Sequence, residues 1–217
     1  MLVQDVMTRK VITVTMEATA VDALKIMKEH NFSRLPVVDD KGRLVGLVND
    51  RRLERIKPPT STPRLLQITY LLHQLSQTTV GKAMRKRIVT VKPMDTVEYA
   101  IAKAQSNKVG AVIVVDGGNI VGICTTNDFF YKIVNPTLGI GESGAHLFVE
   151  GAGDGKSAEE IIGTVNRMGV RIKVIWTSYS SKAAENDLTL HLDIEDASEV
   201  INKLAQKGYN STLRNTK

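Results

Sequence analysis

The order of apolar and polar residues occurs twice within the first 135 positions. The aligned segments are 77 positions apart and comprise Val6-Met7 with Ala83-Met84, Thr13-Val14 with Thr90-Val91, and Val37-Val38-Asp39 with Val114-Val115-Asp116. With one residue fewer in the second turn, Leu44-Val45-Gly46-Leu47 then aligns with Ile120-Val121-Gly122-Ile123. Self-similarity over such a stretch predicts two copies of one structural unit.

Each copy has the hydrophobic pattern of a β-α-β-β-α unit. Apolar runs rich in β-branched residues predict a first β segment, a middle strand and a return strand in each copy. These strands are expected at 11–14, 35–38 and 44–48 in copy one, and at 88–91, 112–115 and 120–124 in copy two. The turns at 39–42 and 116–119 are built from residues that tolerate positive φ.

Two helices are predicted in each copy from apolar residues at helical spacing. Thr19 with Asp22 predicts a capping box in copy one, and Asp95 with Glu98 predicts a comparable box in copy two. The second helix is expected to end at Pro58 in copy one and at Pro136 in copy two.

The segment between the copies, 58–79, predicts a linker helix. Its apolar positions have helical spacing and are Leu65, Leu66, Ile68, Leu71, Leu72 and Leu75. We expect this helix to pack against the repeats or to form a dimer contact.

The last third of the chain predicts a separate β-α-β-β-α-β domain at 145–217, after a glycine-rich linker at 137–144. Strands are expected at 145–150, 170–179, 187–194 and 209–213, and helices at 157–168 and 197–207. Ser157 with Glu160 predicts a capping box, and Gly169 and Gly208 predict helix ends. Alternation along 187–194 predicts one covered and one polar sheet face. The predicted domains are 1–57, 58–79, 80–136, 137–144 and 145–217.

Composition indicates a soluble globular protein. Hydrophobic residues make up 42% and charged residues 24%, and the apolar runs are too short to span a bilayer. The first residues lack a secretory signal, and the single cysteine, Cys124, fits a reducing compartment. We therefore expect a cytoplasmic protein without a membrane partner.

A formal charge of +6 favours anionic ligands or nucleic acid without choosing between them. Aromatic residues make up only 5%, which argues against base stacking and makes nucleic acid the less favoured partner.

No catalytic set is visible in the sequence. The histidines, His30, His73, His146 and His191, are far apart and lack metal-ligand spacing. Cys124 lies within a predicted strand with no histidine close in sequence. We expect no enzymatic activity, no metal and no required cofactor.

The β-α-β-β-α unit together with G-I-C-T-T-N-D, Gly122 to Asp128, resembles a CBS domain, and two tandem copies resemble the CBS pair, or Bateman module. The expected fold class is thus α/β (α+β), with two repeats forming a pseudo-symmetric pair. Thr125 lies at the strand end and Asp128 in the first helical turn, where a carboxylate suits the two hydroxyls of a ribose. The alternative is that both residues only cap the helix.

The resemblance implies an adenosine nucleotide as regulatory ligand, with AMP, ADP, ATP or S-adenosylmethionine as candidates. It also implies that adenine lies between the first and middle strands of copy two. The expected nucleotide-binding residues are Ile88, Val89, Thr90, Ala111, Val112, Ile113, Thr125 and Asp128.

Copy one departs from the motif, since Asn49 takes the place of threonine and Arg52 that of aspartate. Asn49 can cap a helix or donate to phosphate, and Arg52 offers only donors. We expect copy one to be empty, weaker, or a source of cations. The residues of this weaker or phosphate-contacting site are Ile12, Thr13, Arg34, Pro36, Asn49, Arg51 and Arg52, and a solvated basic face is the alternative for the arginines.

The C-terminal element order resembles the ferredoxin-like ACT domain, including the glycine-bearing loop Gly151 to Gly155. That loop is expected to form a tight turn, with amino-acid binding, as in other ACT domains, as the alternative. Side-by-side sheets are expected to form a homodimer. A CBS pair followed by an ACT-like domain is similar to the acetoin-utilisation regulators of the AcuB type, which implies a regulator of carbon metabolism with an unknown target protein. The alternative is a ligand-free dimeric scaffold that docks a partner through the ACT-like domain.

Overall fold

The computed structural model describes residues 1–53, 64–180 and 185–214, and it divides the chain into two units, Met1–Phe129 and Phe130–Lys217. The predicted mixed α/β class is confirmed. Each repeat of the first unit contains a three-stranded sheet, in which the first strand is parallel and the third antiparallel to the middle strand. The strands are β1 (Val14–Thr15), β2 (Arg34–Val38) and β3 (Leu44–Asn49), then β4 (Thr90–Val91), β5 (Ala111–Asp116) and β6 (Asn119–Thr125).

Where the sequence of the first unit places a threonine just before a predicted helix, the helix begins directly after it. The helices are α1 (Val3–Val6), α2 (Ala20–Glu29), α3 (Asp50–Leu53), α4 (Arg64–Gln77), α5 (Val80–Ala83), α6 (Val97–Ser106) and α7 (Thr126–Phe129). The predicted capping box of Thr19 and Asp22 is confirmed at α2. The predicted box starting at Asp95 is wrong, because Thr96 caps α6 while Asp95 accepts the N–H of Lys92 in the preceding turn.

The two repeats pair with each other reciprocally. Thr8 and Ile123 exchange main-chain hydrogen bonds of 2.9 and 3.0 Å, and Leu47 and Arg85 exchange bonds of 3.0 and 2.8 Å. These pairs correspond under the repeat alignment, so the unit is a pseudo-symmetric pair. In each repeat the segment before the first strand therefore lies against the third strand of the other repeat.

Gly122 lies where the repeats approach each other closely, because a Cβ added there would overlap the side chain of Met7. We expect Gly122→Ala to lower the free energy of unfolding by about 1–2 kcal/mol. Overpacking costs about 1–3 kcal/mol and outweighs the ~0.5–1 kcal/mol that alanine gains over glycine in a strand. Urea denaturation measures the loss. Met7→Ala should relieve the overlap, so additive losses in the double variant would contradict this account.

The second unit has the predicted β-α-β-β-α-β element order, and its four strands form one antiparallel sheet in the order β10-β7-β9-β8. The strands are β7 (His146–Val149), β8 (Ile172–Ser178), β9 (Asp187–Leu192) and β10 (Ser211–Arg214), and the helices are α8 (Asn135–Leu138), α9 (Gly155–Arg167) and α10 (Ser198–Ala205). Leu188, Leu190 and Leu192 of β9 belong to a core that includes apolar residues of α9 and α10. No helix among the described residues has the length and apolar character needed to cross a bilayer.

Two predicted helix boundaries in this unit differ from the structure. Asp154, rather than Ser157, caps α9, because its carboxylate accepts the N–H groups of Lys156 and Ser157. Glu160 instead accepts hydrogen bonds from Lys207 and Tyr209. The predicted helix ends at Gly169 and Gly208 are confirmed, since these residues have left-handed φ of 75° and 89° two positions after α9 and three positions after α10.

Pro136 does not end a helix, contrary to the prediction. It is the second residue of α8, which follows a π-helical turn at Phe130–Val134, and the first turn of a helix does not need the N–H that proline lacks. The chain instead leaves α8 at Gly139, whose φ of 66° is left-handed. The corresponding Pro58 lies outside the described residues.

The polar face of β9 is buried, which differs from the predicted alternation of a covered and a polar face. Asp187, Thr189 and His191 have exposed fractions of 7%, 2% and 0%. His191 stacks on His146 of β7 with ring centroids 4.2 Å apart, and a Cβ added to Gly139 would overlap both rings. Part of the predicted linker at 137–144 thus packs on this face.

The two stacked imidazoles are buried and have few hydrogen-bond partners in the described part of the chain. His191 Nε2 lies 2.9 Å from the carbonyl oxygen of Ser143, so this nitrogen donates, and among the described residues Nδ1 has no partner. His146 Nε2 is likewise buried without a partner in the described part of the chain. Burial, the adjacent His191 ring and Lys173 lower the pKa of His146 below its usual 6.5, against an opposing hydrogen bond to the main chain of Gly139.

We expect the free energy of unfolding of the second unit to fall as the pH is lowered from 7 to 5. Unfolded His146 takes up a proton near pH 6.5, whereas the folded ring does so only at lower pH, so acid favours the unfolded chain. Trp176, the only tryptophan, lies 6.2 Å from His146 and reports this unit by fluorescence in urea at several pH values. His146→Gln should flatten the pH dependence, and exposed His73→Gln should leave it unchanged. An unaltered slope in the first variant would contradict the assignment.

Candidate ligand-binding clefts

Two clefts of the first unit each take one wall from each repeat, because the repeats pair crosswise. Cleft one has a volume of about 220 Å³ and is lined by Thr8, Lys10, Val11, Ile12, Asn31, Phe32, Ser33, Arg34, Pro36, Ile123, Thr125, Asn127 and Asp128. Cleft two has a volume of about 330 Å³ and is lined by Arg34, Leu47, Val48, Asn49, Arg51, Arg52, Arg85, Arg87, Ile88, Val89, Lys108, Val109, Gly110 and Ala111.

The start of α7 places Thr125 and Asp128 in cleft one. The Thr125 hydroxyl donates to Asp128 Oδ2 at 2.6 Å, and the Thr125 N–H donates to the same oxygen at 2.8 Å. The Asp128 N–H reaches the Thr125 hydroxyl at 3.3 Å. These contacts form a capping box, so the two residues do cap the helix. Both are only half-buried and line the cleft, so a ligand can also reach them.

Thr8 of the other repeat orients the same carboxylate. Its hydroxyl donates to Asp128 Oδ1 at 3.1 Å across the boundary between the repeats. A sugar diol that entered the cleft would therefore meet an acceptor already held by hydroxyl groups from both repeats. Such preorganisation lowers the entropy lost when a ligand binds.

The remaining walls of cleft one combine apolar surface with positive charge. Ile12, Pro36 and Ile123 offer apolar contacts, and Lys10 and Arg34 offer cations. Polar groups set among apolar surfaces are typical of small-molecule sites. The arrangement suits a flat apolar ring joined to a sugar and an anion.

In cleft two, the start of α3 replaces the carboxylate with a guanidinium. Asn49 Oδ1 accepts the Arg52 N–H at 2.9 Å, which confirms that Asn49 caps this helix. The Arg52 side chain is directed by its Nε, which donates to the carbonyl oxygen of Ala83 at 2.9 Å. Arg52 has no lone pair to offer a sugar hydroxyl.

Arg34 of β2 lines both clefts. Its Nη1 donates to the Ser33 hydroxyl at 3.0 Å, and its Nη2 lies 2.7 Å from the position that a Cβ on Gly110 would occupy. Because Gly110 has no side chain, the Arg34 guanidinium can occupy this position.

The structure distributes the predicted site residues differently from the sequence analysis. Five of them share cleft one, and they are Ile12, Arg34, Pro36, Thr125 and Asp128. Cleft two contains Arg34 with Asn49, Arg51, Arg52, Ile88, Val89 and Ala111. The predicted nucleoside set is therefore not brought together, since its strand residues and its α7 residues face different clefts.

Four predicted residues line neither cleft. Val112 and Ile113 are fully buried in β5, and Thr13 is half-buried before β1. Thr90 is exposed and lines a third hollow beside the β5–β6 turn.

The sequence analysis missed several cleft residues that lie before the first strand of each repeat. Thr8 and Lys10 of cleft one and Arg85 and Arg87 of cleft two belong to this group. The 77-residue offset aligns Thr8 with Arg85, so the sequence indicates that these two positions are equivalent. The local sequence does not indicate that each of these segments lies against the opposite repeat.

The sequence and the fold were compared with known proteins. Residues 3–57 and 80–135 each match the family described as CBS domain. A CBS domain-containing protein of Dictyostelium discoideum is 29% identical over 62% of this chain and 94% of its own length. The CBS domain of a membrane protein from Sphaerobacter thermophilus superposes with a TM-score of 0.54 at 26% identity, covering 59% of this chain and 85% of that one. A Vibrio cholerae protein that carries the acetoin-utilization name AcuB superposes with a TM-score of 0.50 at 26% identity, covering 62% and 91%. The chain belongs to the CBS-domain family and carries two copies of that domain.

Proposed function

We propose that this chain is a non-catalytic regulator that binds an adenosine nucleotide or S-adenosylmethionine in cleft one. The observation that carries the proposal is the Asp128 carboxylate, held at the cleft by Thr125 and by Thr8 of the opposite repeat. Two acceptor oxygens at one position match the vicinal hydroxyls that all these ligands share.

In this proposal each part of the ligand meets a complementary wall. Adenine packs between Ile12 and Pro36, ribose binds Asp128, and the phosphate or carboxylate group meets Lys10 and Arg34. The ligand regulates the protein if it binds two conformations with different affinity, because equal affinity shifts no population.

Isothermal titration calorimetry with AMP, ADP, ATP and S-adenosylmethionine tests the proposal. We expect at least one of them to bind with one site per chain, and 2′-deoxy or 3′-deoxy analogues to bind more weakly because they lack one of the two hydroxyls. Equal affinity for the ribose and deoxyribose forms would contradict the ribose contact, and the absence of binding by all four ligands would contradict the function.

A dimeric scaffold is the second candidate, and exposed apolar residues on α4 favour it. Ile68 and Leu72, one helical turn apart, have exposed fractions of 70% and 57%, and Leu66 on another side of the helix has 57%. Exposed apolar side chains of this kind are typical of a protein contact, and the proposed homodimer would cover them. Sedimentation of a Leu66→Ser, Ile68→Ser, Leu72→Ser variant tests this, and we expect it to be monomeric.

We further propose that the second unit is an ACT-like domain through which a target protein docks. Its element order and the sheet order β10-β7-β9-β8 support this. A role in carbon metabolism of the acetoin type is supported by the likeness of the first two-thirds of the chain to the Vibrio cholerae protein.

A further inference from the structure

Cleft two concentrates positive charge to a degree that cleft one does not. Its cationic residues come from both repeats and are Arg34, Arg51, Arg52, Arg85, Arg87 and Lys108. Among the described residues that line it, none is acidic. Cleft one, by contrast, places Asp128 opposite its two cations. Like charges that converge on one hollow raise its potential and attract multiply charged anions.

The hydrogen bonds that orient these guanidinium groups come from neutral acceptors. Arg52 donates to the carbonyl of Ala83, and Arg87 Nη2 donates to the Asn107 side-chain oxygen at 3.0 Å. Within the described ranges, no ion pair links the six cations to a carboxylate. Neutral acceptors fix the direction of a guanidinium without compensating its charge.

The chemistry of the cleft selects phosphate over sugar. Arginine presents a planar set of donors that matches phosphate oxygens. At the position where cleft one has the Asp128 carboxylate, cleft two has Arg52, which offers no acceptor to a ribose. A single phosphate would leave most of the six positive charges unbalanced, whereas a chain of phosphates comes close to balancing them.

We propose that cleft two is a separate binding site for a condensed phosphate, meaning a chain of two or more phosphate groups. The chain is inorganic, or it belongs to a nucleotide whose sugar and base make no contribution to binding. Its test needs no ligand in cleft one.

Calorimetry of the full chain with inorganic triphosphate at constant ionic strength tests the proposal. We expect one site per chain and at least a tenfold weaker affinity in an Arg51→Gln, Arg85→Gln variant. Arg51 donates its main-chain N–H to Asp50 Oδ1, and Arg85 pairs with Leu47 through main-chain groups, so neither contact depends on the side chain that is replaced. An unchanged melting temperature verifies that the variant is folded.

A Lys25→Gln, Lys28→Gln variant is the matched control, because it removes the same charge from exposed positions on α2. We expect it to retain the affinity of the parent chain. An equal loss in both variants would mean that only the net charge of the protein attracts the anion, and the proposal would be wrong.

An Asp128→Ala variant distinguishes binding in cleft two from binding in cleft one, and competition experiments on it compare inorganic phosphate chains with nucleotides. Triphosphate should bind it as tightly as it binds the parent chain, so failure of the nucleotide site leaves this test intact. If cleft two binds a phosphate chain, whether inorganic or part of a nucleotide, ATP will displace triphosphate with similar affinity and adenosine will not. Displacement by adenosine would overturn the proposal, because it would show that cleft two recognises the nucleoside.

Discussion

Asp128→Ala is expected to weaken the affinity of cleft one for its adenosine ligand by about 10- to 100-fold. The substitution removes the acceptor for the ribose hydroxyls, and a hydrogen bond to a charged group contributes about 1.5–3 kcal/mol, where every 1.4 kcal/mol corresponds to a tenfold change. Calorimetry with the best ligand of the parent chain measures the change. The deoxyribose analogues should lose little further affinity in this variant, since the group they would miss is already gone.

Because Asp128 also belongs to a capping box, its loss alters the start of α7 as well as the cleft. Asp22→Ala provides the control, since Asp22 forms the same box with Thr19 at α2 and lines neither cleft. Both variants should lose some helix stability, but only Asp128→Ala should lose ligand affinity. Equal affinities in the two variants would remove Asp128 from the proposed site.

The second large effect is expected on stability, where Gly139→Ala should lower the free energy of unfolding of the second unit by about 2–5 kcal/mol. A left-handed backbone costs an L-residue about 1–2 kcal/mol, and overpacking in a core costs about 1–3 kcal/mol. Both apply here, because φ is 66° and the new Cβ would overlap the rings of His146 and His191. Trp176 fluorescence during urea denaturation measures the loss.

Gly141→Ala separates these two costs. Gly141 also has a left-handed φ, of 83°, but nothing lies within 4 Å of the position that its Cβ would occupy. Its substitution should therefore cost only the backbone part, about 1–2 kcal/mol. If Gly139→Ala were no more destabilising than Gly141→Ala, the close packing of Gly139 on the two histidine rings would make no contribution to the free energy of unfolding.

The helices and strands were predictable because each depends on a short, continuous segment of the sequence. The apolar runs rich in β-branched residues at 35–38, 44–48, 112–115 and 120–124, with the turns between them, predicted both hairpins, and the element order of the last third was also correct. Errors occurred where two residues compete for one role. Asp154 lies three positions before Ser157 and accepts the N–H groups of Lys156 and Ser157, so α9 begins before the serine.

The composition of the clefts was less predictable, because it depends on pairing between positions more than 100 residues apart. Thr125 and Asp128 were found from their motif, but their neighbours Thr8 and Ile12 come from the other repeat. The pattern along β9 shows the same limit, since polar residues at Asp187, Thr189 and His191 predict an exposed face unless the segment that covers them is known.

The position of Arg34 on the wall of both clefts means that they share one cation. If both proposed ligands bind, a guanidinium drawn toward an anion on one side would be withdrawn from the other, so occupancy of either cleft would change the affinity of the second. Thermodynamic reciprocity requires the change to be the same factor in both directions. One arginine, beside Gly110, would then make the apparent affinity for one metabolite depend on the concentration of the other.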